Sequence, residues 1–237
     1  MKKYVRMYFP IYFFTAAVML ALVSFGSTAA TVLAENSAIG RENVIIIDAG
    51  HGGEDGGAVS CTGVLESQIN LELAKRLSDL LQLLGYETKM IRTTDISIYT
   101  EGNTIAAKKV SDLKQRVKIV SETEGAILLS IHQNLFPDSR YSGAQVFYND
   151  IAGAKELSQK LQTQFVASIN PGSHRKAKPA TNVYLLQHIQ KPGILVECGF
   201  LSNPEEEAKL RTGEYQKKIC CIIAATLAQA LDKRTNG

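Results

Sequence analysis

The sequence predicts an α/β protein, a three-layer sandwich whose central sheet of about six strands, mostly parallel or mixed, carries helices on both faces. Two observations support this class. Short, continuous apolar runs such as residues 44–47 are typical of strands buried on both faces. Between these runs lie stretches whose apolar residues recur three and four positions apart, as in amphipathic helices. The chain shows no internal repeat, so a repeat architecture is not expected.

The predicted strands are apolar segments bounded by turn-forming or polar residues. They are residues 44–47, 86–91, 126–131, 144–148, 183–186 and 194–196.

The predicted helices follow from their apolar stripes and from the residues that begin or end them. The first covers residues 65–84 and is followed by a glycine. The second begins at Ser111 or Asp112, either of which can cap a helix. The third has Leu157, Leu161 and Phe165 as its apolar stripe and ends at residues 170–172. The last covers residues 215–231.

The N-terminus is a targeting segment. Lys2, Lys3 and Arg6 precede residues 7–34, which carry no charged side chain and are mostly apolar. Residues 32–34 suit a signal peptidase, yet the apolar stretch is also long enough to span a bilayer uncut. We therefore predict an exported protein with four parts: a signal peptide or membrane anchor (1–34), a linker (35–43), one catalytic domain (44–231) and a tail (232–237).

The exported part carries no net charge. The chain has 26 Lys and Arg against 23 Asp and Glu, and removal of Lys2, Lys3 and Arg6 leaves 23 of each. Nucleic acid is therefore not expected as a partner, because neutralising phosphates requires a basic surface.

The four cysteines are too few and too unevenly spaced for a disulfide framework or a zinc knuckle. Cys220 and Cys221 lie in an apolar helical stretch and are predicted to fill the core. A pairing of Cys61 with Cys198 remains open.

Polar residues follow three of the predicted strands. Asp48 and His51 follow the first, and His132 and Glu197 each come directly after another. Because ligands bind outside the carboxyl ends of the strands in open α/β sheets, we expect these side chains to meet in one crevice. Glu66, in the first turn of the helix after His51, reaches the same edge. Two histidines and one carboxylate suit zinc and leave a fourth position for water.

Each of these residues also has a structural explanation. His132 alone is more often a hydrogen-bonded structural residue, and Glu66 alone is a favourable charge near a helix N-terminus. Glu197 is harder to explain in this way, since an unpaired buried carboxylate is costly. Five glycines surround His51, which suits a turn with unusual backbone angles. A phosphate-binding loop is excluded, because no Gly-Lys-Ser/Thr sequence follows.

Four blocks of the sequence resemble the successive motifs of the zinc-dependent N-acetylmuramoyl-L-alanine amidases: DAGHGGEDGGA, GVLESQINLELAKRL, LLSIHQN and ILVECGFLSNPEE. The resemblance covers residues 44–231. It implies hydrolysis of the amide bond between N-acetylmuramic acid and L-alanine in peptidoglycan. An apolar N-terminus followed by a catalytic domain alone is similar to the germination-specific amidases of spore-forming bacteria, which help to make muramic lactam in the spore cortex.

The resemblance also implies a role for individual residues. His51, Glu66 and His132 would hold zinc, and Glu197 would be the catalytic carboxylate. Asp48 is a candidate for orienting His51, with a turn-forming aspartate as the alternative.

Three further residues are candidates for contact with the substrate, namely Arg92, Arg116 and Asn134. For both arginines a surface salt bridge is the favoured interpretation. Gln133 stands where the family usually has a small residue, a difference that would affect substrate access or metal strength without removing a ligand.

Other functions are compatible with parts of this pattern. A zinc peptidase acting on stem peptides would use the same metal geometry, and a non-catalytic wall-binding activator would have lost a ligand or the base, which this chain has not. A structural adaptor would explain the export signal but not the four blocks.

The domain leaves no wall-binding repeat, so we expect an accessory exported protein that activates or localises the enzyme. Residues 93–109, predicted as a long polar loop, are the candidate for the cleft rim or for the surface where that protein docks.

Overall fold

The computed structural model describes residues 43–232 of the 237. The predicted signal peptide or anchor, most of the predicted linker and the tail from residue 233 lie outside these residues. Within the described range, none of the helices combines the length and apolar character needed to cross a membrane.

Six strands form one mixed sheet. In chain order they are β1 (Val44–Ala49), β2 (Glu87–Met90), β3 (Ala126–Asn134), β4 (Gln145–Tyr148), β5 (Lys178–Pro179) and β6 (Gly193–Phe200). Their order across the sheet is β2-β1-β3-β6-β4-β5, and every neighbouring pair is parallel except β4 with β6.

Helices cover both faces of this sheet. They are α1 (Glu66–Leu83), α2 (Ile105–Glu122), α3 (Ala154–Ser168), α4 (Tyr184–His188), α5 (Pro204–Leu210) and α6 (Gly213–Asp232). Ile45 and Ile47 of β1 face an apolar layer built with α1, α3 and α6, whereas Ile46 faces the opposite layer with α2 and α4. This alternation is what a strand between two helical layers requires, and it confirms the predicted three-layer sandwich.

Residues 183–186, predicted as a strand, form the start of α4 instead. Leu185 and Leu186 are both buried against the layer that contains Ile46. Adjacent residues of a strand point to opposite faces, so one apolar layer can bury both only in a helical turn. In place of this predicted strand, the sheet contains β5. Strand β5 consists of two exposed residues, and its sequence shows no strand pattern.

Helix α2 begins six residues before the predicted cap. The Thr104 hydroxyl oxygen accepts the backbone N–H of Ala107 and caps the helix there. Ser111 and Asp112 lie inside the helix and accept backbone N–H groups of the preceding loop, Ser111 from Thr100 and Asp112 from Ile98. The loop predicted for residues 93–109 therefore ends at Thr104, and residues 105–109 belong to α2.

Helix α5 was not predicted, although its start carries a recognisable signal. The side chain of Asn203 accepts the backbone N–H of Glu206, and Pro204 occupies the first turn.

The cysteines are free thiols in the described part of the chain. Cys198 is buried and Cys61 is exposed, so the possible pairing between them is not formed. Cys220 fills the core as predicted, whereas Cys221 on the same helix is exposed.

Candidate metal centre and active site

His51 lies in the loop that follows β1, in a left-handed backbone conformation. Its φ is 62°, and among residues 43–232 it is the only residue other than glycine with a positive φ. This conformation is unfavourable for a side chain with a Cβ. The Arg116 guanidinium stabilises it by donating to the His51 carbonyl oxygen at 2.8 Å.

Glu66 is the first residue of α1, and its carboxylate is buried between two imidazoles. Oε2 lies 3.2 Å from Nε2 of His51, and Oε1 lies 3.0 Å from Nδ1 of His132. Backbone N–H groups also hold the carboxylate: Ala58 donates to Oε2 at 3.0 Å and Gln133 donates to Oε1 at 3.1 Å.

His132 and Glu197 are neighbours across two parallel strands. They are register partners in the pairing of β3 with β6, so they reach the same edge of the sheet. Both lie inside these strands, which extend further than predicted. The His132 ring lies across Gly50, where a glycine leaves room for it, and its centroid is 5.0 Å from that of His51.

The three residues His51, Glu66 and His132 can hold a metal ion. Each offers one ligand atom, and these atoms lie within 4.8 Å of one another. Two imidazole nitrogens with one carboxylate oxygen are a donor set that Zn²⁺ accepts, with one position left over. Three of the residues expected from the sequence to lie in one crevice, His51, Glu66 and His132, are therefore close together in the structure.

The electrostatics of the cluster reflect the close approach of these groups. Burial opposes a charge on His51, but hydrogen bonds to Asp55 and Glu66 outweigh burial and raise its pKa to about 9. Burial would raise the pKa of Glu66, yet hydrogen bonds from His132 and His51 lower it well below its usual range. A carboxylate that stays ionised is suited to bind a cation.

Glu197 has a different environment from Glu66. Within the described part of the chain its Oε2 is buried and has no hydrogen-bond partner. Burial raises the pKa of Glu197 to about 7, despite the opposing charge of His132. A carboxylate with such a pKa and a free oxygen can take up and release a proton near neutral pH.

Arg92 and Arg116 are buried beneath the His51 loop, so their interpretation as surface salt bridges is wrong. Each residue is 2 % exposed. Arg92 donates to the carbonyl oxygens of Ala49 and Gly50 at 2.8 and 3.0 Å. Buried in this way, the two guanidiniums are placed to support the loop rather than to meet substrate.

Asp48 reaches His51 only indirectly. Its carboxylate accepts hydrogen bonds from Arg116 and from the Ser130 hydroxyl, and Arg116 in turn holds the His51 carbonyl. Asn134, at the end of β3, is partly buried, and its backbone carbonyl accepts the N–H of Leu201.

Sequence reasoning missed two side chains that contact the proposed ligands. Oδ2 of Asp55 lies 2.9 Å from Nδ1 of His51, and the side-chain amide of Asn70 donates to Oε1 of Glu66 at 3.1 Å. Asp55 lies four residues after His51 in the same Gly-rich loop. Asn70 lies one helical turn after Glu66 on α1, and that spacing was a usable signal.

Comparison with known proteins identifies the family. Residues 45–229 match the family described as N-acetylmuramoyl-L-alanine amidase. The germination-specific N-acetylmuramoyl-L-alanine amidase of Bacillus subtilis (strain 168) is 39% identical over 182 residues, which are 76% of this chain and 76% of that protein. The amidase AmiA of Escherichia coli (strain K12) is 27% identical over 229 residues, covering 78% of this chain and 75% of AmiA.

A solved structure of the CwlD amidase from Clostridioides difficile, in complex with the GerS lipoprotein, is similar throughout the domain. It has a TM-score of 0.77 and 37% identity, and the match covers 80% of this chain and 98% of that one. The chain therefore belongs to the N-acetylmuramoyl-L-alanine amidase family and is an enzyme that hydrolyses the amide bond between N-acetylmuramic acid and L-alanine.

Proposed function

We propose that this amidase is zinc-dependent, that His51, Glu66 and His132 hold the metal and that Glu197 is the catalytic base. The observation that carries the proposal is the contrast between two buried glutamates at one edge of the sheet. Glu66 is ionised and faces both imidazoles, whereas Oε2 of Glu197 lacks a partner among the described residues. One carboxylate is arranged as a ligand and the other as a proton acceptor.

A zinc ion held by His51, Glu66 and His132 would act as a Lewis acid, which would polarise the amide carbonyl and lower the pKa of a bound water molecule to about 7. The protein positions the ligands before the metal arrives. Asp55 occupies Nδ1 of His51 and leaves Nε2 directed at the site.

Glu197 moves the proton. It takes a proton from the attacking water on Oε2 and returns it to the L-alanine nitrogen as the carbon–nitrogen bond breaks. A pKa of about 7 suits both halves of this transfer, because the group is neither too weak a base nor too weak an acid. General catalysis of this kind typically contributes about 10²- to 10⁴-fold.

The substrate we propose is the peptidoglycan of the spore cortex, where removal of stem peptides is the step before muramic-lactam formation. Support comes from the Bacillus subtilis relative, whose name describes it as germination-specific. The enzyme then acts outside the cytoplasm, exported by residues 1–34 as a cleaved signal peptide or a retained membrane anchor.

We also propose that an accessory exported lipoprotein acts on the enzyme at the start of α2. The similar amidase from Clostridioides difficile was solved with a lipoprotein. Here Lys109 of α2 lies 3.1 Å from Asp55, which in turn contacts His51. Ile105, in the first turn of α2, is 69 % exposed. A protein that binds the start of α2 is therefore connected to His51, a proposed metal ligand, through the side chains of Lys109 and Asp55.

The decisive experiment combines metal analysis with mass spectrometry of digested peptidoglycan. We expect Glu197→Gln to retain the wild-type zinc content and to lose turnover by at least about 10²-fold. Glu206→Gln is the matched control, since this buried glutamate accepts only the backbone N–H groups of Gly143 and Phe200 in the described part of the chain. A Glu197→Gln enzyme with a near-normal rate contradicts the assignment, and trimmed stem peptides in place of whole ones indicate a peptidase.

The accessory protein has its own test. If it acts on the metal loop, the purified amidase alone holds less than one zinc per chain and digests cortex slowly, and the lipoprotein raises both values. Full zinc occupancy and a full rate without the lipoprotein contradict this part of the proposal.

A further inference from the structure

Asn70 connects the three chain segments that carry the proposed metal ligands. Its side chain is completely buried. Nδ2 donates to the carbonyl oxygen of Gly50 at 3.2 Å, next to His51, and to Oε1 of Glu66 at 3.1 Å. Its Oδ1 accepts Nε2 of Gln133 at 3.1 Å, next to His132. A single amide therefore contacts the loop after β1, the start of α1 and the end of β3.

The orientation of this amide is determined by its partners. The Gly50 carbonyl oxygen and the ionised Glu66 carboxylate can only accept hydrogen bonds. The amide of Asn70 must therefore present its NH₂ group to Glu66, because the reversed orientation would place two oxygens against each other. Oε1 of Gln133 is buried without a hydrogen-bond partner in the described range, so Gln133 contacts Asn70 through Nε2 alone.

The donors around Glu66 fall into two sets. The first set consists of the side-chain amide of Asn70 and the backbone N–H groups of Gln133 and Ala58. The second set consists of the imidazoles of His51 and His132. The first set does not titrate and remains in place when a cation replaces protons in the second.

We propose that Asn70 is a positioning residue for the metal site: it fixes the Glu66 carboxylate and ties it to the segments that carry His51 and His132, while Gln133 donates to the Asn70 amide oxygen. The inference rests on the proposed assignment of the three ligands. Preorganised ligands bind a metal more tightly than ligands that must be ordered on binding, and loss of outer hydrogen-bond partners typically weakens metal binding about 10- to 100-fold.

The experiment measures zinc affinity by competition with a chelator, together with the visible absorption spectrum of the cobalt(II)-loaded protein, which reports ligand geometry. We expect Asn70→Ala to weaken zinc binding about 10- to 100-fold and to change the cobalt spectrum. Asn149→Ala is the matched control. This buried asparagine also bridges two segments, by donating to the Lys191 carbonyl and accepting the Gly193 N–H, but at the opposite end of β6. It is expected to lower thermal stability and to leave zinc affinity and the cobalt spectrum unchanged.

A second variant covers the case in which Asn70→Ala fails to fold. Gln133→Met removes the donor to Asn70 and retains the size of the side chain, so it is expected to weaken zinc binding less than Asn70→Ala does but measurably. Wild-type affinity and an unchanged cobalt spectrum in whichever variant folds would overturn the inference. A wild-type protein that binds no zinc would instead contradict the proposed function, so the two failures are distinguishable.

Discussion

Oδ2 of Asp55 lies 2.9 Å from Nδ1 of His51, on the other side of the imidazole from the Nε2 that faces Glu66. A carboxylate in this position fixes both the tautomer and the orientation of a ligating histidine. The left-handed backbone of His51 and the carboxylate of Asp55 thus act together, since one aims the ring and the other prevents its rotation.

Asp55→Ala should weaken zinc binding about 10- to 100-fold, because the His51 ring loses its partner at Nδ1. Chelator competition measures the change. Glu54→Ala is the control, as this neighbouring carboxylate pairs with Lys108 at an exposed position and forms no ion pair with His51 in the described part of the chain. Equal zinc affinity in the two variants would show that Asp55 does not orient the ligand.

Zinc affinity should increase with pH up to about 9. The pKa of His51 is raised to about 9 in the metal-free protein, so zinc must displace a proton from this ring at any lower pH. Below that value, each pH unit should lower apparent affinity by up to about tenfold. Zinc titrations at pH 6, 7 and 8 in non-coordinating buffers measure the slope. Asp55→Ala should flatten it, because the hydrogen bond to Asp55 is among the causes of the raised pKa, and a pH-independent affinity would rule out proton displacement at His51.

Glu197→Gln should stabilise the metal-free protein at pH 8 but not at pH 4.5. The pKa of Glu197 is about 7 in the folded protein against 4.5 for an unperturbed glutamate. As pH rises above 4.5, the unfolded chain ionises first, so the folded state loses stability until pH exceeds about 7. At about 1.4 kcal/mol per pKa unit, the shift from 4.5 to about 7 corresponds to a loss of roughly 3.5 kcal/mol, and glutamine avoids it.

Denaturant unfolding of the metal-free protein at both pH values measures this difference. The exposed Glu205→Gln serves as control, for which a surface substitution is expected to stay within about 0.5 kcal/mol. A Glu197→Gln protein that gains nothing at pH 8 would show that the buried carboxylate is not destabilising, and would weaken its interpretation as a functional group.

Arg116→Met should destabilise the fold by about 3 to 5 kcal/mol, because it leaves buried carboxylates without their partner. Arg116 contacts both Asp48 and Asp112, and burial is outweighed by these charges so that its pKa is raised above the usual value. Thermal or denaturant unfolding measures the effect. Arg140→Met is the control, since Arg140 pairs with Asp138 at the surface and such pairs contribute about 1 kcal/mol or less. Equal effects of the two substitutions would contradict the structural role of Arg116.

The sequence predicted the layers of the fold and the meeting of His51, Glu66, His132 and Glu197 because both follow from local patterns. Apolar runs indicate buried strands, and the ends of parallel strands converge whatever the intervening chain does. The boundaries of α2 and the nature of α4 were missed for a different reason. Ser111 is as good a cap by composition as Thr104, and only the tertiary contacts of Ser111 with the preceding loop decide between them.

The supporting residues were hidden for a related reason. Arg92 and Arg116 look like surface charges in sequence, since arginine is rarely buried without partners. Arg92 donates to backbone carbonyls of the Gly-rich loop, and Arg116 adds to such a contact the carboxylate of Asp48, which is distant in sequence. The residues of the proposed metal site thus lie in recognisable local patterns and can be predicted, whereas the residues that hold the loop are apparent only in three dimensions.

Gly50→Ala tests whether the position of His132 matters for the metal. The φ of Gly50 lies outside the left-handed region, so alanine fits the backbone, but its Cβ would overlap Cε1, Nε2 and Cδ2 of His132. The ring must therefore shift from its present position, and misplacement of a catalytic group by about 1 Å can cost about 10²-fold in rate. We expect weaker zinc binding and a loss of activity of that order, measured by chelator competition and by stem-peptide release.

Gly63→Ala is the control, because its backbone and its surroundings have the opposite properties. Its φ of +90° disfavours alanine, while no atom lies within 4 Å of the new Cβ. It should lower stability by about 1 kcal/mol and leave zinc binding intact. Wild-type zinc affinity and activity in Gly50→Ala would mean that His132 can move freely without consequence, and would remove it from the set of ligands.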